Sequence, residues 1–357
     1  MKDVRGVRIV GERVVRKLTR EEHIRTKSLY ELVFPEDQGA FADYYYEEIA
    51  TENEILVVEQ DGQILAMLHL NTYDLMIGGV SKKIPYIVAV ATHPDYRHQG
   101  FMKSLLEAAF TELFERGIPF AFLMPANKEI YLPFGFRYIS KSNHYELPVK
   151  EYLTGEKLEV HPATYADVPD LCWISERVLK AEKGTYAKRT QVYYERLLLE
   201  QQAQEGDIAI LSKDGLICGW FYTSLSEEDA EVREPVIDKQ YESLLFPTIA
   251  DCFRYDEKVQ LFAFPESLMN EKAGEKPLMM GRVADIIEYL ELVKEQIPEG
   301  TVFSVEDPML SGNNITVCHE NGRLEKKEKR SEALVYRIEE IMEKFPLPAP
   351  VFLNELV

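Results

Sequence analysis

The spacing of apolar residues switches repeatedly between a period of two and one near 3.6, and the switches mark out strands and helices. The opening residues, MKDVRGVRIVGERVVRK, alternate Val and Ile with charge, which predicts a strand and lacks the continuous apolar stretch of a signal peptide. Leu18-Thr19-Arg20-Glu21-Glu22 has the form of a capping box opening a helix towards Phe34. A second helix is expected over 40–51, with Phe41, Tyr44, Tyr45 and Tyr46 at helical spacing. At least two of those tyrosines read as core; the cluster also has the character of an amine pocket. Residues 55–60 and 63–70 flank Asp61-Gly62 as a hairpin.

The most informative run lies at 85–136. A strand over 86–92 meets His93-Pro94, where proline cannot donate to a continuing ladder. The turn Arg97-His98-Gln99-Gly100 follows. Phe101, Leu105, Leu106, Ala109, Phe110 and Leu113 then fall on one helical face, which Gly117 and Pro119 terminate. A short buried strand is expected over 120–124 and a helix starting at Asn127. Backbone N–H groups from Arg97 to Met102 therefore lack intrahelical partners and sit at the positive end of a helix dipole. Gly100 permits close approach of a ligand, and Arg97, His98 and Lys103 add positive charge. Such a turn binds phosphate or pyrophosphate.

From about Val149 the pattern begins again. A helix entry at 162–170 leads into a helical region to about 203, and a hairpin at 208–221 repeats the first. Ile55, Asp61 and Gly62 recur as Ile208, Asp214 and Gly215 at a constant offset, which points to a duplicated fold. The second copy has no Arg-x-x-Gly turn before its helix at 241–253, so it is expected to be a structural partner that binds no anion. From about Lys272 the texture changes: helix 284–293, strand 302–305, a hairpin over 315–328 turning at Asn321-Gly322, and helix 331–344. The final residues, VFLNELV, are too apolar for a solvated tail and are expected to be buried. The fold class is α/β with mixed sheets, in three domains at 1–148, 149–268 and 269–357.

The ordered set Val88-x-Val90, His93-Pro94, Arg97-x-x-Gly100 and Tyr131-x-x-x-Gly135-Phe136 resembles the acetyl-CoA signature of the GNAT N-acetyltransferase superfamily. The order of domains, with the stretch Lys276 to Asp285 as the most similar part of the tail unit, resembles the Eis-type (enhanced intracellular survival) acetyltransferases. That resemblance implies a catalytic GNAT domain, a degenerate GNAT-like domain and a sterol-carrier-protein-like α/β domain. It implies that acetyl-CoA is the cosubstrate, held by the amides and side chains of Arg97, His98, Gln99, Gly100, Phe101, Met102 and Lys103. The strand before the turn would pair with the pantetheine arm, and Ala126 and Asn127 match family positions beside it. Asn127 reads equally as a helix N-cap. Met102 replaces the small residue usual there and tightens the space beside the pyrophosphate. Tyr131 is implied as the acid that protonates the departing thiolate, and the C-terminal carboxylate, here that of Val357, as the base, with Glu355 or a water as alternatives. The oxyanion should meet a backbone N–H around Val90, Ala91 and Thr92. Family relatives acetylate aminoglycosides and form hexamers, so the resemblance implies a homo-oligomer.

Composition narrows the partners. The chain has 61 acidic residues against 41 Lys and Arg and a net charge of −20, which disfavours nucleic acid. The acidity suits a cationic amine, such as an aminoglycoside, a polyamine or a lysine side chain; an ordinary acidic surface accounts for it as well. No apolar run approaches the roughly 18 residues of a membrane span, so a cytoplasmic protein is expected. Cys172, Cys218, Cys252 and Cys318 are dispersed and read as buried reduced thiols with no metal site. Two other classes stay open: a non-catalytic acyl-CoA- or lipid-binding protein, and a transferase of longer acyl chains.

Overall fold

The computed structural model describes residues 13–225, 230–327 and 333–355. Strand β1 (Val14–Lys17) carries what is described of the N-terminal strand. The Thr19–Glu22 capping box is present but opens a 3-10 turn, which leads into α1 (Lys27–Val33). Helix α2 (Ala40–Tyr44) continues as a wide turn through Ile49. Then come β2 (Glu54–Gln60), β3 (Gln63–Ile77), β4 (Val80–Thr92), α3 (Phe101–Glu115), β5 (Phe120–Leu123), α4 (Lys128–Tyr131) and β6 (Arg137–Tyr138). The six apolar residues of α3 that share a face are all buried, each of the larger ones contributing about 1.5–3 kcal/mol relative to exposure.

The second unit repeats that order. It runs β7 (Lys141–Pro148), α5 (Val149–Tyr152), β8 (Glu159–Pro162), α6 (Val168–Glu182), β9 (Thr185–Ala187), α7 (Gln191–Ala203), β10 (Asp207–Lys213), β11 (Leu216–Leu225), β12 (Ala230–Ile237), α8 (Leu245–Cys252) and β13 (Lys258–Phe262). The duplication extends to backbone detail: Asp61 and Asp214 have positive φ in the two hairpin turns, and Ala89 and Glu234 have positive φ in corresponding bulged strands. The helical region expected up to about 203 is broken. Gly184 ends α6, and β9 leaves its own unit to pair antiparallel with β3 of the first.

The remaining elements are β14 (Gly274–Pro277), β15 (Met280–Val283), α9 (Ile286–Leu292), β16 (Val302–Glu306), β17 (Thr316–Glu320), β18 (Arg323–Lys327), β19 (Leu334–Arg337), α10 (Ile338–Lys344) and β20 (Val351–Phe352). Four of them form a separate sheet in the order β18-β17-β16-β19. The first half of the expected helix 331–344 is instead strand β19, parallel to β16, where Leu334, Val335 and Tyr336 find a ladder. Past the expected boundary at 269, β14 pairs with β7 of the second sheet and β15 inserts between β5 and β6 of the first. One short segment thus stitches two sheets together. Buried Arg282 on β15 adds an ion pair to Asp307 at 2.7 Å, anchoring the third unit.

Two expectations about cysteine need correction. All four are free thiols, but only Cys218 and Cys318 are buried; Cys252 is exposed at the end of α8, and Cys172 is intermediate. Among the described residues no helix is long and apolar enough to cross a membrane.

Candidate functional site

Strands β4 and β5 are parallel neighbours that pair at one position only, Tyr86 with Phe122, and then part. The parting is built into β4. Its register against β3 slips between Val88 and Ala91, leaving Ala89 (φ 50°) and Val90 opposite a single residue, a bulge that re-aims the backbone. The bulge lies at the early edge of the expected Val90 to Thr92 region. Val88, Ala89 and Met124 form one wall of a cavity of about 520 Å³. The opposite wall comes from the corresponding parting in the second unit, with Arg233, Glu234, Phe262 and Ala263. The two units therefore face each other across one cleft.

The loop before α3 has the shape its sequence implies. Gly100 adopts φ 80° as the N-cap, and a Cβ there would meet nothing within 4 Å. The first helical bond runs from Ser104 N–H to Gly100 O at 3.1 Å. The N–H groups of residues 98–103 thus have no acceptor among the described residues. Arg97, His98, Gln99 and Gly100 are exposed, Phe101 is buried and Met102 half-buried against the core, while Lys103 lies 3.7 Å from Glu107. Arg13, which sequence reasoning missed, stands over the Phe101 ring at 4.5 Å and donates to Gln99 at 3.4 Å. It brings a further cation to the loop.

Asn127 is the N-cap of α4, its side-chain oxygen accepting from Glu129 N–H at 3.0 Å; Ala126 is exposed beside it. Helix α4 carries Tyr131 inward. Its ring meets Phe136 edge-on at 5.7 Å, and burial pushes its hydroxyl up to about 12, so it stays protonated at neutral pH. Among the described residues no hydrogen-bond partner for that hydroxyl is found.

The apolar tail is buried as its composition demands. Strand β20 lies parallel to β9, and Pro350 O accepts from Gly184 N–H (3.0 Å) and Thr185 N–H (3.2 Å). A Cβ on residue 184 would meet Ala349 O at 2.5 Å, so only glycine lets the tail lie there. The tail then delivers Asn354 and Glu355 between the two units. Glu355 is 3% exposed, and its Oε1 accepts from Arg189 Nη1 at 2.9 Å. Arg189, also buried, binds Glu234 Oε1 through Nη2 at 2.5 Å. One guanidinium serves two carboxylates, and burial together with the Glu355 charge pushes Glu234 up to about 7 against the pull of Arg189. Val357 lies outside the described residues.

Residues 14–139 match the acetyltransferase (GNAT) domain family. The chain carries a GNAT acetyltransferase domain.

The rest of the chain has counterparts in solved structures. A protein of unknown function from Enterococcus faecalis, titled a probable N-acyltransferase, matches 94% of this chain and 89% of its own at TM-score 0.78 and 16% identity. A GCN5-related N-acetyltransferase from Anabaena variabilis matches 92% and 89% at TM-score 0.74 and 18% identity. Eis1 from Mycobacterium abscessus matches 92% and 88% at TM-score 0.68 and 14% identity. At such identities these likenesses concern the fold: the acetyltransferase domain, its partner unit and the third unit share one architecture with those chains. No curated protein sequence matches this chain. Acetyltransferases of the GNAT type use acetyl-CoA as cosubstrate. Among the described residues no three His, Cys, Asp or Glu side chains converge as a metal site requires.

Proposed function

We propose that the chain transfers the acetyl group of acetyl-CoA directly to the amino group of a small cationic acceptor, in the cleft between the first and second units. The observation that supports this reading best is the Gly100 turn with its unpartnered amides, which follows the bulged strand β4 on the wall of that cleft, with Tyr131 buried on α4. The free amides of 98–103 suit a pyrophosphate, with Arg97, His98, Arg13 and Lys103 supplying charge. The parted strands leave the edge of β4 open for the pantetheine arm. The amides at the bulge, near Val90 to Thr92, would meet the oxyanion of the tetrahedral intermediate. Tyr131 donates a hydrogen bond, and finally a proton, to the departing sulfur.

The acceptor amine, with a pKa near ~10.4 for a lysine-like group, must lose a proton before it attacks. The tail that runs on from Glu355 to Val357 brings the carboxylate for that step in this reading, and burial narrows the pKa gap from both sides. The acidic surface favours a cation at the cleft mouth. A homo-oligomer, which sedimentation would reveal, is part of the same proposal.

Tyr131→Phe is the direct test. It keeps the ring packing against Phe136 and removes only the hydroxyl, so kcat should fall roughly tenfold or more with CoA affinity unchanged. An unaltered kcat in that variant would remove Tyr131 from the chemistry.

A further inference from the structure

The wall of the cleft opposite β4 is a face of the second sheet, and strand register sets which side chains stand on it. Arg233 of β12 pairs with Phe262 of β13, and Phe262 pairs with His144 of β7. On the far side of β7, strand β14 sets Gly274 opposite His144 and Lys276 opposite Ser142. Partners in register share a face, as do residues two apart along one strand. Arg233, Phe262, His144, Ser142 and Lys276 therefore stand side by side, and all five line the cleft together with Val88 and Ala89 of β4.

Asp37, Arg233, Glu234 and Lys276 bring full charges to the cleft lining, and three of them are engaged within the protein. Arg233 lies over the Phe262 ring at 4.4 Å and gives Nε and Nη2 to one oxygen of Glu231, at 2.8 and 2.7 Å. Glu234 is held by Arg189, and Asp37 accepts from the Tyr30 hydroxyl at 3.0 Å. Lys276 is exposed and, among the described residues, forms no ion pair. Beside it the Ser142 hydroxyl makes a 3.2 Å bond to the adjacent Asn143 O, which rotation about its C–O bond can exchange for a better acceptor. His144 Nε2 donates to Gln260 Oε1 at 2.7 Å, and Gln260 is oriented by its own bond to Glu146 at 3.2 Å. His144 Nδ1 has no partner among the described residues. In a chain of net charge −20, an uncommitted cation beside a hydroxyl and an imidazole inside the cleft is a local reversal of sign.

We infer that Lys276, with Ser142 and His144, binds a carboxylate at the far end of the acceptor, so that the substrate is an amino carboxylate rather than a bare amine. This deepens the acetyl-transfer reading and rests on it for the place of the amine beside β4. The Lys276 ammonium is a compact charge with three donors, suited to one carboxylate oxygen. The Ser142 hydroxyl donates to the other, and His144 Nδ1 adds a donor when the ring is protonated. Phe34, Phe41 and Phe262 line the space between the two ends, which suits a spacer of methylenes.

Calorimetry of 6-aminohexanoate and 6-aminohexanamide, with CoA bound, tests the inference, because the two differ only in the charge at the far end. The wild-type chain should bind the carboxylate at least tenfold more tightly, the scale of a hydrogen bond to a charged group. Lys276 is exposed, so Lys276→Met should fold as the wild type does, and it should bring the ratio below twofold. Lys276→Glu should invert the preference, and Ser142→Ala should narrow it. Equal binding by the wild-type chain, binding of neither compound, or a preference that survives Lys276→Met overturns the carboxylate site. Acetylation is followed separately: no transfer to either compound would sink the acetyl-transfer reading, while the binding ratio would still decide the carboxylate site.

Discussion

Replacing Gly100 by Asp should abolish binding of CoA. The position has φ 80° and its Cβ direction points into open space, so the substitution meets no protein atom. What it meets is the place a pyrophosphate would occupy. A carboxylate about 4 Å from one phosphate charge, at an effective dielectric near 20, costs about 4 kcal/mol, roughly a thousandfold in Kd. Gly100→Ala separates the two contributions, because it carries the left-handed backbone cost of about 1–2 kcal/mol without the charge. Calorimetric titration with CoA should therefore show a modest loss for Ala and no measurable binding for Asp. Retained binding by the Asp variant would contradict the assignment of the turn.

Arg189→Met should produce the largest loss of stability and should free the tail. It removes the one cation shared by buried Glu234 and Glu355, and breaking a buried pair from one side costs about 3–5 kcal/mol. The loss should depend on pH. A carboxylate whose folded pKa is raised binds more protons folded than unfolded, so stability falls as pH rises from the unfolded value towards the folded one. For Glu234 that window already runs from about 4.5 to about 7, and without Arg189 it should extend higher. The melting temperature of the variant should then approach the wild-type value near pH 5 and fall well below it at pH 8. Turnover should fall with tail release, because Asn354 would leave the wall of the cleft. A pH-independent difference would mean that the two carboxylates are not charged partners of Arg189.

The turn at Arg97 to Gly100 and the amphipathic α3 were legible because they depend on local periodicity and on residues with restricted backbone preferences. The burial of the tail was legible from its apolar composition alone. The residues that complete the cleft were not. Arg189, Glu234 and Glu355 are distant in sequence and meet through β9, whose three residues gave no strand signal between two helices. The role of Gly184 is set by the tail carbonyls packed against it. Residues 334–337 carry an ambiguous apolar pattern, and the neighbouring edge of β16 decides for strand. Tertiary partners overrode local pattern in each of these cases.

We propose that the cleft between the first two units performs acetyl transfer to an amine. The most direct measurement is release of free CoA thiol from acetyl-CoA with and without a diamine, with the acetylated product quantified beside it. Amine-dependent release is expected, with one acetylated amine formed per thiol. Tight CoA binding with no amine-dependent release from any amine supplied would contradict it and favour a protein that only binds acyl-CoA.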